Sequence, residues 1–169
     1  MNYVGIDLGK DGGIIVLNQD GGVLKKYKTP LLTSTKAKPE YDIPAMVKIL
    51  KEIPEPKVVT IEKSQPMPMV MGGVAANFQR GLSFGLWQGV LVALGISYDV
   101  VSARAWQKRM LADINVEDTK QASVIACQRL WPKEDWRKSE RARNPDIGFT
   151  DAALISEFGR RSRSALQTV

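Results

Sequence analysis

Two short turns constrain this chain more than any other feature. Asp11-Gly12-Gly13 and Asp20-Gly21-Gly22 separate three brief apolar runs, Tyr3 to Leu8, Gly12 to Leu17 and Val23 to Tyr27. Glycine reaches positive φ without a steric penalty, so Asp-Gly-Gly between apolar runs is a hairpin signal. The first thirty residues therefore predict a three-stranded β-meander.

Beyond the meander the hydrophobic period changes. Residues 29–44 are polar and hold three prolines, which predicts a loop. Pro44 suits a helix's first turn, and Ala45, Val47, Ile49, Leu50 and Ile53 form a helical stripe that Pro54 and Pro56 stop. Lys57 to Glu62 is rich in β-branched residues and predicts a strand. A proline- and methionine-containing loop, Gln65 to Met71, leads into a long helix expected from about Val74 to Leu94. Tyr98 to Val101 predicts a fifth strand, with short helical pieces around Trp106 to Leu111. Either Asn115 or Asp118 caps a helix running to Leu130. Residues 131–149 predict a basic loop, and Thr150 is expected to cap a last helix ending near Arg163. This order predicts an α/β fold, a mixed five-stranded sheet with flanking helices, as a single domain over residues 1–169.

Composition removes several chemistries. Histidine is absent and Cys127 is the only cysteine. That excludes Ser-His-Asp and Cys-His catalysis, an intrachain disulfide and a Cys/His zinc site. Any metal must be held by oxygen, which favours Mg²⁺ or Mn²⁺. The 24 Lys and Arg against 18 Asp and Glu give a formal charge of +6, a balance that favours polyanionic partners. No basic leader precedes an apolar core at the N-terminus. The most apolar stretch, Leu82 to Ile96, is shorter than the ~20 residues a membrane span needs. With one thiol, the chain is expected in a reducing cytoplasm.

Four carboxylates stand out. Asp7 closes the first apolar run, and Glu62 closes the fourth strand. If a helix crosses over between these strands they run parallel and adjacent, about 4.8 Å apart, which puts both acids at one carboxyl edge. Open α/β sheets bind ligands at that edge, and two neighbouring like charges favour a cation between them. Each acid also has an ordinary reading, Asp7 as a turn residue before Gly9 and Glu62 as a surface strand end. Asp151 suits a helix N-terminus by its charge, yet it shares a face with Leu154, Ile155 and Phe158 and needs a partner there. Asp146 lies five residues earlier in an Asn-Pro-Asp-Ile-Gly loop, where a turn aspartate is equally ordinary.

The ordered set Gly5-Ile-Asp-Leu-Gly9, Gly13-Ile-Ile-Val, Val58-Val-Thr-Ile-Glu62, Ala105-Trp-Gln-Lys108, Asp118-Thr-Lys120 and Gly148-Phe-Thr-Asp151 resembles the RuvC-type Holliday-junction resolvases, most closely their phage-like branch. These belong to the RNase H-like superfamily. The resemblance spans roughly residues 3–163. It implies a dimeric, divalent-metal-dependent endonuclease that cuts four-way DNA junctions symmetrically. The family's catalytic carboxylates fall on Asp7, Glu62 and Asp151. A histidine of the phage-like branch falls on Asp146, where this sequence departs from the pattern. The catalytic lysine falls on Lys108, with Lys120 the next candidate.

Two Mg²⁺ ions, replaceable by Mn²⁺, suit hydrolysis of a phosphodiester at such a site, with Asp7 bridging, Glu62 and Asp151 on opposite sides and Asp146 assisting. Candidates for DNA contact are the six basic residues Arg129, Lys133, Arg137, Lys138, Arg141 and Arg143, interleaved with Trp131 and Trp136, together with Lys120. Arg160, Arg161 and Arg163 add charge at the last helix, and Lys36 and Lys38 at the first loop. Gln65, Met67 and Met69 come soon after Glu62. The methionines are candidates to wedge between bases, or to pack in a dimer interface.

Within the long helix, Gly81, Gly85 and Gly89 recur every four residues beside Phe78, Leu82 and Leu86. The resemblance places a dimer interface here; intrachain packing would explain the stripe equally well. Two other classes stay open. Asp7-Leu-Gly-Lys-Asp-Gly-Gly resembles the first phosphate loop of the hexokinase–actin superfamily, although a second such domain is lacking. A non-catalytic junction-binding module is the other class. An RNase H-like nuclease acting on RNA or other branched DNA is the nearest enzyme alternative.

Overall fold

A computed structural model describes residues 1–32 and 38–166. Lys36 lies outside them. The mixed five-stranded sheet has the order β3-β2-β1-β6-β7, from β1 (Asn2–Ile6), β2 (Gly13–Leu17), β3 (Val23–Lys28), β6 (Lys57–Glu62) and β7 (Tyr98–Val101). The meander is antiparallel, whereas β1, β6 and β7 are mutually parallel. Residues 29–44 are not wholly loop. β4 (Leu31–Leu32) and β5 (Glu40–Tyr41) pair as a small ladder ahead of α1 (Ile43–Glu52). Local apolar pattern could not reveal a pairing of two residues with two.

Period-two alternation sorts the sheet into two cores. Val4, Ile6, Val59 and Ile61 face α1 and α2 (Met69–Ala93), packed on Met46, Leu50, Trp87 and Leu91. Tyr3 and Val58 face the other way, toward α3 (Ala103–Met110), α4 (Thr119–Leu130) and α5 (Ile147–Leu166). The result is three layers, helix on sheet on helix.

Three helix starts differ from the sequence expectation. α2 begins at Met69 and breaks at Gly73, whose φ of 63° and ψ of 173° leave the helical region, so its uninterrupted part starts at Val74. Ser102 caps α3 through the Ala105 amide, which extends that piece backward. α5 starts at Ile147, with Asp146 capping it instead of Thr150: Asp146 Oδ1 accepts from the Phe149 amide. For α4 the cap is Asp118.

Trp131 and Trp136 are core residues, not exposed platforms. Both are buried and meet edge-to-face at 5.5 Å, and the Trp131 indole donates to the Gly21 carbonyl. Their burial fixes the basic segment against the β2–β3 hairpin. Nor is the charge of α5 free. Buried Glu157 pairs with Arg160 and Arg161, and Arg163 pairs with Asp99 of β7.

Candidate active site

The parallel register of β1 and β6 ends with Ile6 opposite Ile61, so the next residues along, Asp7 and Glu62, emerge side by side. Alternation turns both toward the α5 side of the sheet, the face of Tyr3 and Val58. α5 comes close enough to bring its own acids there because glycines line the contact. A Cβ on Gly5 would lie 2.0 Å from the Ala152 carbonyl oxygen. One on Gly148 would lie 2.2 Å from that of Asp11. This packing puts Asp146 and Asp151 within electrostatic reach of Asp7.

The consequences appear in protonation. Burial drives the Asp7 carboxyl well above its ordinary range, and repulsion by Asp151, Glu62 and Asp146 adds to the effect; Lys28 opposes it. Glu62 is raised by burial, against which the Trp106 indole N–H stabilises the carboxylate by donating to Oε2 at 2.7 Å. Burial pushes Asp151 to about 6, opposed by a hydrogen bond from the Ser123 hydroxyl and by the charge of Lys120. Asp151 Oδ1 is buried with no hydrogen-bond partner. Asp146 instead has a partner, Lys28 Nζ at 2.8 Å.

Among the described residues, no three acidic side chains draw together tightly enough to hold an ion on their own. Hard cations routinely complete their shell with water and substrate oxygens. An orphaned buried oxygen and an all-carboxylate donor set suit Mg²⁺ or Mn²⁺.

A cleft of about 780 Å³ opens from Asp7 and Glu62. Gln65 and Met67 form part of its wall; the Met67 backbone is pinned by the Asn77 side chain. Met69 begins α2, and its side chain lies outside the described residues. The cleft's basic residues are Lys10, Lys63, Arg80 and Arg104, none of which stands out in the sequence. Their only local signal is proximity to Asp7 and Glu62, or the Ser102 cap that turns α3 into the cleft. Lys108 lies one turn beyond Arg104 on α3, exposed and outside the cleft lining. Lys120 is also exposed, but its charge reaches Asp151.

The basic segment does not line this cleft either. Lys133, Lys138, Arg141 and Arg143 lie away from it; Arg129 donates to the Asp113 carbonyl and Arg137 pairs with Asp135. On α2, Cβ atoms added at Gly81, Gly85 or Gly89 would meet nothing within 4 Å. Among the described residues the stripe therefore serves no intrachain contact. Beside it Phe78 is 65% exposed and Leu82 37% exposed, while Leu86 is half-buried.

No protein-family model matches this chain, and no curated protein sequence does. Its architecture, a mixed five-stranded sheet between helical layers, is the RNase H-like fold. Among solved structures it is similar to Thermus thermophilus RuvC in complex with a Holliday junction substrate, at a TM-score of 0.65 and 17% identity over 97% of this chain and 96% of that one. A second Thermus thermophilus RuvC structure matches at a TM-score of 0.62 and 16% identity, over 98% and 97% of the two chains. The likeness at that identity is one of fold.

Proposed function

We propose that this chain is a divalent-metal-dependent endonuclease that resolves four-way DNA junctions, acting as a homodimer that makes paired nicks. One observation carries the reading: Asp7, Glu62 and Asp151, from three separate elements, lie within electrostatic reach of one another at one sheet edge with carboxyls raised above their ordinary range, beside a cleft lined by four basic residues. Acids clustered this way repel DNA unless a cation neutralises them, so the combination suits a metal-dependent site on a nucleic acid better than a passive binding surface. The fold shared with a RuvC bound to a Holliday junction substrate supports the choice of DNA structure.

In this reading Asp7, Glu62 and Asp151 hold Mg²⁺ or Mn²⁺, with Asp146 in a lesser role. Two such ions, when bound, activate a water and stabilise the leaving oxygen of a phosphodiester. The chain's own groups do the rest. Trp106 fixes Glu62, and Ser123 and Lys120 ease the charge on Asp151. Lys10, Lys63, Arg80 and Arg104 draw the phosphate backbone into the cleft. Lys108 and Lys120 are the candidates to stabilise charge at the scissile phosphate, and Lys120 has the electrostatic link to Asp151. Gln65 and Met67 meet the strands at the cleft wall. The exposed face of Phe78, Gly81, Leu82, Gly85 and Gly89 joins two protomers, setting two sites at a fixed separation.

The test is incision of a labelled four-way junction beside a duplex, a fork and an RNA–DNA hybrid of equal length, with Mg²⁺ and with chelator. Paired, symmetric nicks in the junction alone, lost with chelator, are expected. Preferential cutting of the hybrid assigns an RNA-directed nuclease instead. Tight junction binding without incision in Mg²⁺ or Mn²⁺ assigns a non-catalytic module.

A further inference from the structure

Lys28 ends β3, opposite Gly13 in the hairpin register, and its ammonium is held from several directions. Nζ donates to Asp146 Oδ1 at 2.8 Å and to the Asp11 carbonyl, and it stands 5.3 Å from the centre of the Phe149 ring. The contacts tie the meander, the turn after Asp7 and the start of α5 to one charged atom. The Asp146 side chain is 12% exposed and that of Lys28 33%, so the carboxylate is largely removed from water while the ammonium keeps partial contact with it. Its Oδ1 also accepts from the Phe149 amide at 3.2 Å, which leaves that oxygen engaged by two donors. The same ammonium acts favourably on the Asp7 carboxylate. A divalent cation drawing on Asp146 would have to share it with a fixed positive charge, which Coulomb repulsion opposes.

We infer that Lys28 is a positioning residue: a built-in counter-cation that anchors Asp146 and so withholds it from divalent cations in the DNA-free protein, leaving Asp7, Glu62 and Asp151 as the carboxylates that take an ion together with water. This rests on the metal-dependent reading of the site. The arrangement also gives Asp146 a reason to be an aspartate, since a neutral side chain would leave the ammonium unpaired in a half-buried position.

The experiment is a calorimetric titration of the full chain with Mn²⁺ alone, without DNA. Wild type is expected to bind a single tight ion. Lys28→Met keeps the aliphatic packing on Phe149 and removes the charge. It should gain a second ion, or bind Mn²⁺ about tenfold more tightly. Adding Asp146→Asn should return the wild-type isotherm, and Lys28→Arg should never leave it. Lys28→Gln repeats the test should the methionine variant fail to give a cooperative thermal transition. Identical isotherms for wild type and the neutral variants overturn the inference, as do two equally tight ions in wild type. Absence of Mn²⁺ binding in every variant overturns it together with the metal-dependent reading. Mn²⁺ binding as expected without junction incision overturns the proposed activity and leaves the role of Lys28 intact.

Discussion

Carboxylates at the sheet edge differ in what holds them, and substitutions should separate them. Asp7→Asn, Glu62→Gln and Asp151→Asn each remove an oxygen from the proposed metal site without altering the cleft's basic residues. Each is expected to lower incision at least about a thousandfold while junction affinity by gel shift stays within a few-fold of wild type. Asp146→Asn should be milder, about tenfold, because Asp146 is already committed to Lys28 and to capping α5. A residue whose variant cuts at near wild-type rate in Mg²⁺ has no place in the site. Trp106→Phe tests support one layer out: the ring remains, but the N–H that holds Glu62 Oε2 is gone. The expected loss is about 10- to 100-fold, with a higher Mg²⁺ concentration needed for half-maximal rate. An unchanged Mg²⁺ dependence would remove Trp106 from the account. The adjacency of Asp7 and Glu62 was legible in the sequence because each closes an apolar run and strand pairing does the rest. The Trp106–Glu62 and Ser123–Asp151 contacts were not. They depend on where α3 and α4 come to rest on the sheet, which no local pattern encodes. The basic run from Arg129 to Arg143 drew notice by density alone. Lys10, Lys63, Arg80 and Arg104 are scattered through the chain and converge only in three dimensions.

Glycines behave oppositely in two elements. On β1, Gly5 lets α5 approach until a methyl group would overlap the Ala152 carbonyl and the Ser156 amide. Gly5→Ala is therefore expected to destabilise the fold by about 1–3 kcal/mol or more, and to loosen the placement of Asp151 as α5 moves off. Chemical denaturation gives the first effect and incision rate the second. Along α2 a Cβ at Gly81, Gly85 or Gly89 would meet nothing among the described residues. Gly85→Leu should thus leave the protomer intact, and by helix propensity alone should stabilise it by somewhat under about 1 kcal/mol. If α2 is where two chains meet, the same variant shifts the protein toward monomer in light scattering and loses paired incision before single nicking. A dimer that withstands Gly85→Leu moves the interface elsewhere. The sequence showed the stripe and left two readings of it open, because spacing reports which residues share a face but not what lies against that face. At α4 the spacing left Asn115 and Asp118 both open as caps, and the structure takes Asp118. Helix ends were misplaced where the cap comes from a residue with a second role, as at Asp146.

For the molecule as a whole, the fold carries acids it stabilises poorly, and this should be visible in its thermal stability. Asp7, Glu62 and Asp151 all have carboxyls raised by burial, Asp151 to about 6 from an ordinary 3.8. A raised pKa means the folded chain binds more protons than the unfolded one between the two values. Without metal, stability should therefore fall as pH rises from about 4 through about 6, and the Asp151 contribution to that loss should be complete above it. Lys28, Trp106 and Ser123 offset part of the cost, as opposing influences on Asp7, Glu62 and Asp151 respectively. A divalent cation should offset more, since it binds the ionised folded site and not the unfolded chain. Its effect must then depend on pH. At pH 5 protons occupy much of the site and compete with the ion; at pH 8 they do not. The expected result is a larger rise in melting temperature on adding millimolar Mg²⁺ or Mn²⁺ at pH 8 than at pH 5, and its loss in Asp151→Asn. That variant should itself melt higher than wild type at pH 8 without metal, because the amide removes a buried charge that Ser123 and Lys120 only partly offset. Scanning fluorimetry of the two proteins at both pH values, with and without metal, decides the matter. Equal shifts at pH 5 and 8, or a metal response that survives Asp151→Asn unchanged, would mean that the cation binds somewhere other than the sheet edge.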